Sequence, residues 1–369
     1  MIDRRRLVAV LSILVVAIWA LPLPVLAIAS LTVTKTADTA DGVCDSDCSL
    51  REAITAANAD FDATTINVPA GHYKLTRTGA DEDMNATGDL DIRSPISLLG
   101  AGARKTIIDG NGTDRVLHVP PISAPSEFAI VVQGVKIANG KVTDAIGGGI
   151  WHQEDQATFY LYKSTVRNNH ALQGGGIGNG YQDQTNMVIE TSTISGNHTG
   201  PDGQGAGIQN YGSLTLRNTT ISGNRATFAG GILMFDGTLT IEWSTIAFNT
   251  ATQPGGGLMI NSGTVTALGS IIAKNKAGQF VSAKNCNHAI TSNGHNLENG
   301  ASCGFTGPGD VNGGPRLDAL GNYGGPTNTL RLRAGSPAIN AGGAVSLATD
   351  QRGVLRPRGS AADIGAYER

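Results

Sequence analysis

The sequence predicts an all-β chain wound into one long parallel β-solenoid, on the strength of a repeat, apolar columns in step with it, and an unusual composition. The repeat reads Ser192-Thr-Ile-Ser-Gly-Asn197, Thr219-Thr-Ile-Ser-Gly-Asn224, Ser244-Thr-Ile-Ala-Phe-Asn249 and Ser270-Ile-Ile-Ala-Lys-Asn275, with a weaker copy at Ser164-Thr-Val-Arg-Asn-Asn169. Its asparagines recur at intervals of 28, 27, 25 and 26 residues. Three apolar columns keep the same intervals: Phe159, Met187, Leu214, Leu239 and Val265; Leu161, Ile189, Leu216, Ile241 and Ala267; and Val166, Ile194, Ile221, Ile246 and Ile272. The first two columns lie two residues apart and so share one face of a strand, while the third opens a new strand after a bend. No helical period accompanies the repeat, which excludes helical solenoids. Glycine supplies 50 of 369 residues against a usual ~7%, and aromatics only 5%, as suits a chain that turns often and buries small aliphatic side chains.

The elements follow in chain order. Arg4, Arg5 and Arg6 precede an apolar stretch from Leu7 to Ala29 that contains Pro22 and Pro24 and ends in Ala27-Ile28-Ala29. This pattern predicts a signal peptide, residues 1–29, cleaved after Ala29. Leu31-Thr-Val-Thr-Lys-Thr36 alternates like a strand. Ser49 and Glu52 then have the spacing of a capping box, and Leu50, Ala53, Ile54 and Ala57 form one apolar helical face ending at Asn58. A short helix over the first coil is expected, within an N-terminal cap of residues 30–95. Coils occupy 96–285, beginning with the looser segments Ile96-Ser-Leu98 and Thr106-Ile-Ile-Asp-Gly110, for roughly six to nine coils in all. The last coils and a C-terminal cap take 286–369. The four cysteines of an exported chain are expected to pair by proximity as Cys44–Cys48 and Cys286–Cys303. The formal charge of −3 gives no electrostatic case for nucleic acid.

Certain strings resemble known families. Cys48-Ser-Leu-Arg-Glu-Ala53 with Ala56-Ala-Asn58, continued by Gly88-Asp-Leu-Asp-Ile92 and Thr106-Ile-Ile-Asp-Gly110, resembles the CSLREA domain of secreted bacterial β-helix proteins. The Gly-Gly-Gly-Ile and Ser-Thr-Ile-Ser-Gly-Asn units are similar to the right-handed parallel β-helix family shared with pectate-lyase-like folds. Gly324-Gly-Pro-Thr327, Gly335-Ser-Pro-Ala-Ile-Asn340, Asp350-Gln-Arg-Gly353, Arg356-Pro357 and Asp363-Ile-Gly-Ala-Tyr-Glu368 resemble a choice-of-anchor Q domain. That domain commonly precedes a sorting signal, yet this sequence stops at Arg369 without an apolar tail. The expected location is therefore secreted or cell surface, with release and retention by an uncleaved N-terminal segment both open. Together the resemblances imply a right-handed parallel β-helix at or beyond the cell surface.

Chemistry is harder to read. Asp81, Asp83, Asp89 and Asp91, with Asn85, cluster hard oxygens within eleven residues and suit Ca²⁺, although nothing in the chain requires a cofactor. Trp151, Tyr211 and Phe235 follow the Gly-aliphatic units closely and could stack on sugar rings. Asn169, Asn197, Asn224, Asn249 and Asn275 are expected to stack as a corner ladder, each tolerating left-handed backbone. Tyr162, Glu190, Arg217 and Glu242 share one phase, as an ion-pair ladder would, and His170, His198, Arg225, Thr250 and Lys276 make a mildly basic outer row. No histidine metal spacing, nucleophile elbow or phosphate loop is evident, so no catalytic residue is assigned. The expected function is a non-catalytic, structural or adhesive protein outside the cell. The alternatives are a polysaccharide lyase or glycoside hydrolase acting on acidic polysaccharide, and a carbohydrate-binding module. Expected partners are extracellular polysaccharide or cell-surface components. Nucleic acid is not among them, the membrane is met only through the signal peptide, and the protein is expected to be a monomer.

Overall fold

A computed structural model describes residues 29–369 apart from 81, 182–184, 281 and 283, so the predicted signal peptide up to Ile28 lies outside the described residues. The coil that starts at Ile150 shows the plan. Ile150–His152 belongs to sheet I, Ala157–Tyr162 to sheet II, Thr165–Arg167 to sheet III and His170–Gln173 to sheet IV. Among the described residues successive coils repeat this order for about eight turns, and the four sheets contain seven, ten, ten and five strands. Strands of neighbouring coils pair in parallel and in register: Phe159↔Met187↔Leu214↔Leu239↔Val265 along sheet II, and Val166↔Ile194↔Ile221↔Ile246↔Ile272 along sheet III. All ten of these side chains are buried. Stacking like on like lets each coil bury apolar surface on both neighbours, which no single coil could do alone.

At the corner after sheet III, the Nδ2 of Asn169, Asn197, Asn224 and Asn249 each donates to the Oδ1 of the next asparagine, at 3.0, 3.0, 2.9 and 3.0 Å. Asn275 passes the ladder on to Asn285 at 3.2 Å. The left-handed backbone belongs to the preceding residue and not to the asparagine itself: Asn168, Gly196, Gly223, Phe248 and Lys274 all have φ between 57° and 71°. The ladder asparagine is needed for its side chain, which also satisfies a backbone carbonyl of the coil before, as Asn197 Nδ2 does with Val166 O at 3.1 Å.

The first coil is closed by the helix Leu50–Ala57, whose Ser49–Glu52 capping box forms and whose C-cap is Asn58. Disulfides join Cys44 to Cys48 and Cys286 to Cys303. Arg51 on the helix pairs with Asp38, which precedes the helix, at 2.7 Å and donates to the carbonyls of Gly88 and Asp89 in the later acidic loop, both at 2.7 Å. This buried guanidinium orders the acidic loop around residues 82–91.

The C-terminal segment packs against the side of the coils. It runs back along the outside of sheet III, with Asn328 O accepting from Thr193 Oγ1, Gln351 Oε1 accepting from Thr220 Oγ1 and Thr245 Oγ1 accepting from Ala366 N. Arg104 of an early coil reaches Asn322 and Gly325. The outer threonines of sheet III supply hydroxyls that this segment satisfies, so a face that would otherwise meet water becomes an interface. No helix among the described residues is long and apolar enough to cross a membrane.

Candidate functional site

On sheet I the middle residue of each short strand points outward, because its two neighbours fill the core. The outward column reads Asp91, His118, Trp151, Gly178 and Gln209. Gly178 matters for its lack of a side chain: a Cβ there would come within 2.4 Å of Ile146 Cγ2 and 3.2 Å of Trp151 Cδ1. The Trp151 ring can therefore lie over the next coil.

Above this column sits the loop held by Arg51. Asn85, left-handed at φ 60°, donates its backbone N–H to Asp91 Oδ2 at 2.9 Å and accepts the Asp91 N–H on its own side chain. His118 Nδ1 lies 3.1 Å from Asp91 Oδ1 and 3.4 Å from Asp83 Oδ1, while its Nε2 is 2.8 Å from Gln153 Oε1. The His118 ring stacks on Trp151 with centroids 5.0 Å apart, and the Arg115 guanidinium lies 4.7 Å from the centre of the Trp151 ring. Arg115 also pairs with Asp89 at 3.0 Å. Burial pushes the Asp89 carboxyl up to about 7 against the pull of Arg115, and the charge of Asp91 adds to the rise.

Of the predicted acidic cluster, then, Asp83 and Asp91 converge on His118, with three potential ligand atoms within 4.8 Å of one another. Asp89 turns aside to Arg115, and Asp81 lies outside the described residues. A cation here would meet two carboxylates and an imidazole nitrogen, a mixed set that suits Ca²⁺ less well than all-oxygen ligands do. Neither His118 nor Arg115 was visible as a site residue in the sequence. The only signal was phase, since His118 follows Leu117 as Asp91 follows Leu90.

The aromatic candidates divide. Trp151 belongs to the His118–Arg115 stack, whereas Tyr211 and Phe235 stack on each other at 4.6 Å with planes 5° apart. Tyr181 links the groups: it meets Tyr211 edge-on at 5.9 Å and also lines, with Trp151, a groove of about 500 Å³. Asp144, Gln153 and Gln173 complete the polar part of that groove. Trp151 Nε1 and Gln173 Oε1 are buried and find no hydrogen-bond partner among the described residues.

No family model matches the chain, and no curated protein matches it either. Among solved structures it is similar to a crystal structure of pectate lyase Pel9A, with a TM-score of 0.55 and 13% identity over 93% of this chain and 97% of that one. At that identity the likeness is one of fold.

Proposed function

We propose that this protein is an exported β-solenoid that holds polysaccharide on its outer face without turning it over, in a structural or adhesive role. The groove beside Trp151 carries the reading. Two aromatic walls offer ring faces for sugars, and Trp151 Nε1 and Gln173 Oε1 supply a donor and an acceptor that the described residues leave unused. Binding is favoured over turnover because, among the described residues, Asp144 is the one carboxylate lining the groove, while Asp89 is engaged with Arg115 and Asp91 with His118 and Asn85. Export is supported by the basic and apolar N-terminal pattern and by two disulfides, which persist in oxidising compartments. The strings resembling CSLREA and choice-of-anchor Q domains support a place among secreted bacterial surface proteins, with a right-handed coil and the division at residues 30–95, 96–285 and 286–369.

A second reading, lyase or hydrolase action on acidic polysaccharide, is favoured by the fold shared with a pectate lyase. One experiment separates the two. The protein is run by affinity electrophoresis through gels containing uronate or neutral polysaccharides, and the same mixtures, with and without Ca²⁺, are monitored for unsaturated products and for new reducing ends. Retardation without product is expected, weakened at least tenfold in Trp151→Ala and Tyr181→Ala. Product formation would overturn the non-catalytic reading, and an absence of retardation across the panel would overturn polysaccharide binding.

A further inference from the structure

Round the corner from the groove, where sheet III meets sheet IV, the early coils carry a second concave surface. Two depressions of about 370 and 380 Å³ lie there and share Asn139 and Asn168, so they form one trough. Its charged lining comes from His72, Asp109, Lys136 and Arg167 on the first depression and Lys141, His170 and His198 on the second. Further along sheet III the outer positions Thr193, Thr220 and Thr245 are buried under the C-terminal segment. The trough is the part of that face left open.

Its charges are not balanced internally. His72 engages Asp109 at 2.7 Å, but among the described residues no ion pair reaches Lys136, Lys141, Arg167 or His198. The basic groups instead disfavour one another's charged forms. Burial and then Arg167 hold Lys136 below its usual range, burial followed by His198 and Lys141 lowers His170, and burial with Lys141 lowers His198. The His170 and His198 rings stand 4.6 Å apart on neighbouring coils, and His170 Nδ1 is buried without a partner among the described residues. Lys136, Lys141 and Arg167 stand in a concavity whose one lining carboxylate, Asp109, is taken up by His72, so an anion entering it relieves their repulsion.

We propose that this trough binds the carboxylate or sulfate groups of an anionic glycan chain. The basic groups repeat from coil to coil along the solenoid axis, which fits a ligand carrying regularly spaced anions better than a single ion. A nucleic acid fits less well, because no Phe, Tyr or Trp lines the trough to stack a base, and the net charge of −3 supplies no attracting field. The proposal stands apart from the groove, since neither Trp151 nor Tyr181 lines the trough.

The test is titration calorimetry of the whole protein at low salt with four probes of equal length: a uronate oligomer, a sulfated oligosaccharide, a neutral oligosaccharide and single-stranded DNA. One or both anionic sugars should bind, with affinity falling as salt rises, and whichever binds better identifies the anion as carboxylate or sulfate. In a Trp151→Ala background, which removes the contribution of the groove, the double variant K141E/R167E should bind that sugar at least tenfold more weakly. Should the charge-reversed protein lose its native circular dichroism, the neutral pair K136Q/K141Q must show the same loss of affinity. In that background, equal binding with and without the charge reversals, binding of the neutral sugar as tight as that of the anionic ones, or tighter binding of DNA would each overturn the proposal.

Discussion

His152 shows how much depends on a single side chain. It points inward from sheet I, is fully buried, and its Nδ1 lies 3.0 Å from Asn179 Oδ1, while Asn179 Nδ2 donates to Asn210 Oδ1 at 2.6 Å. This second amide ladder, inside the core, went unread in the sequence, although Ile177-Gly-Asn179 and Ile208-Gln-Asn210 repeat it at equal phase. Burial pushes His152 down to about 4. The unfolded chain takes up that proton near ~6.5 and the folded protein only near 4, so stability is retained above the higher value and lost as pH falls through the window between them. Thermal midpoints measured by circular dichroism at pH 7 and pH 4.5 should therefore fall, and fall less in His152→Asn, which keeps a polar group toward Asn179. An equal fall in both proteins would assign the loss to other groups.

Among the elements, the corner ladder joins coils that the apolar columns only stack. Asn224 accepts the backbone N–H and the Nδ2 of Asn197, and its own Nδ2 donates to Ile194 O and Asn249 Oδ1. Asn224→Ala would strand these groups in a dry corner at a cost of about 2–4 kcal/mol. A clear drop in the thermal midpoint is expected, against almost none for the exposed Thr238→Ala of the next coil. Equal effects would show that the ladder adds nothing beyond packing. The columns and the helix were legible at this scale because their signals are local: a strict repeat and a capping box. The acidic loop was legible only as a composition. Its division, Asp83 and Asp91 toward His118 and Asp89 toward Arg115, depends on Arg51 arriving from a helix more than thirty residues earlier.

For the molecule as a whole, the C-terminal segment decides which faces remain open. Gln351 is its main tie: its amide donates to Ser192 O, Thr193 Oγ1, Thr327 Oγ1 and Asn328 O and accepts from Thr220, all in a buried setting. Gln351→Ala should loosen this segment before the coils. Limited proteolysis is expected to cut between residues 316 and 369 while the strand signal in circular dichroism persists. Cleavage first among the coils would contradict that order of stability.

By itself the sequence determined the parallel β-solenoid and the register of its columns, because these follow from residues repeated at one period, and it suggested by proximity the two disulfide pairings that the structure then fixed. Only the tertiary structure decided what stands beside what across coils and around corners. It brought His118 and Arg115 to Trp151, left the trough of Lys136, Lys141 and Arg167 uncovered, and laid the C-terminal segment over the threonines of sheet III. Such contacts join residues far apart in sequence and depend on side-chain direction, on loop paths and on which hydroxyl satisfies which carbonyl, none of which a periodic pattern records.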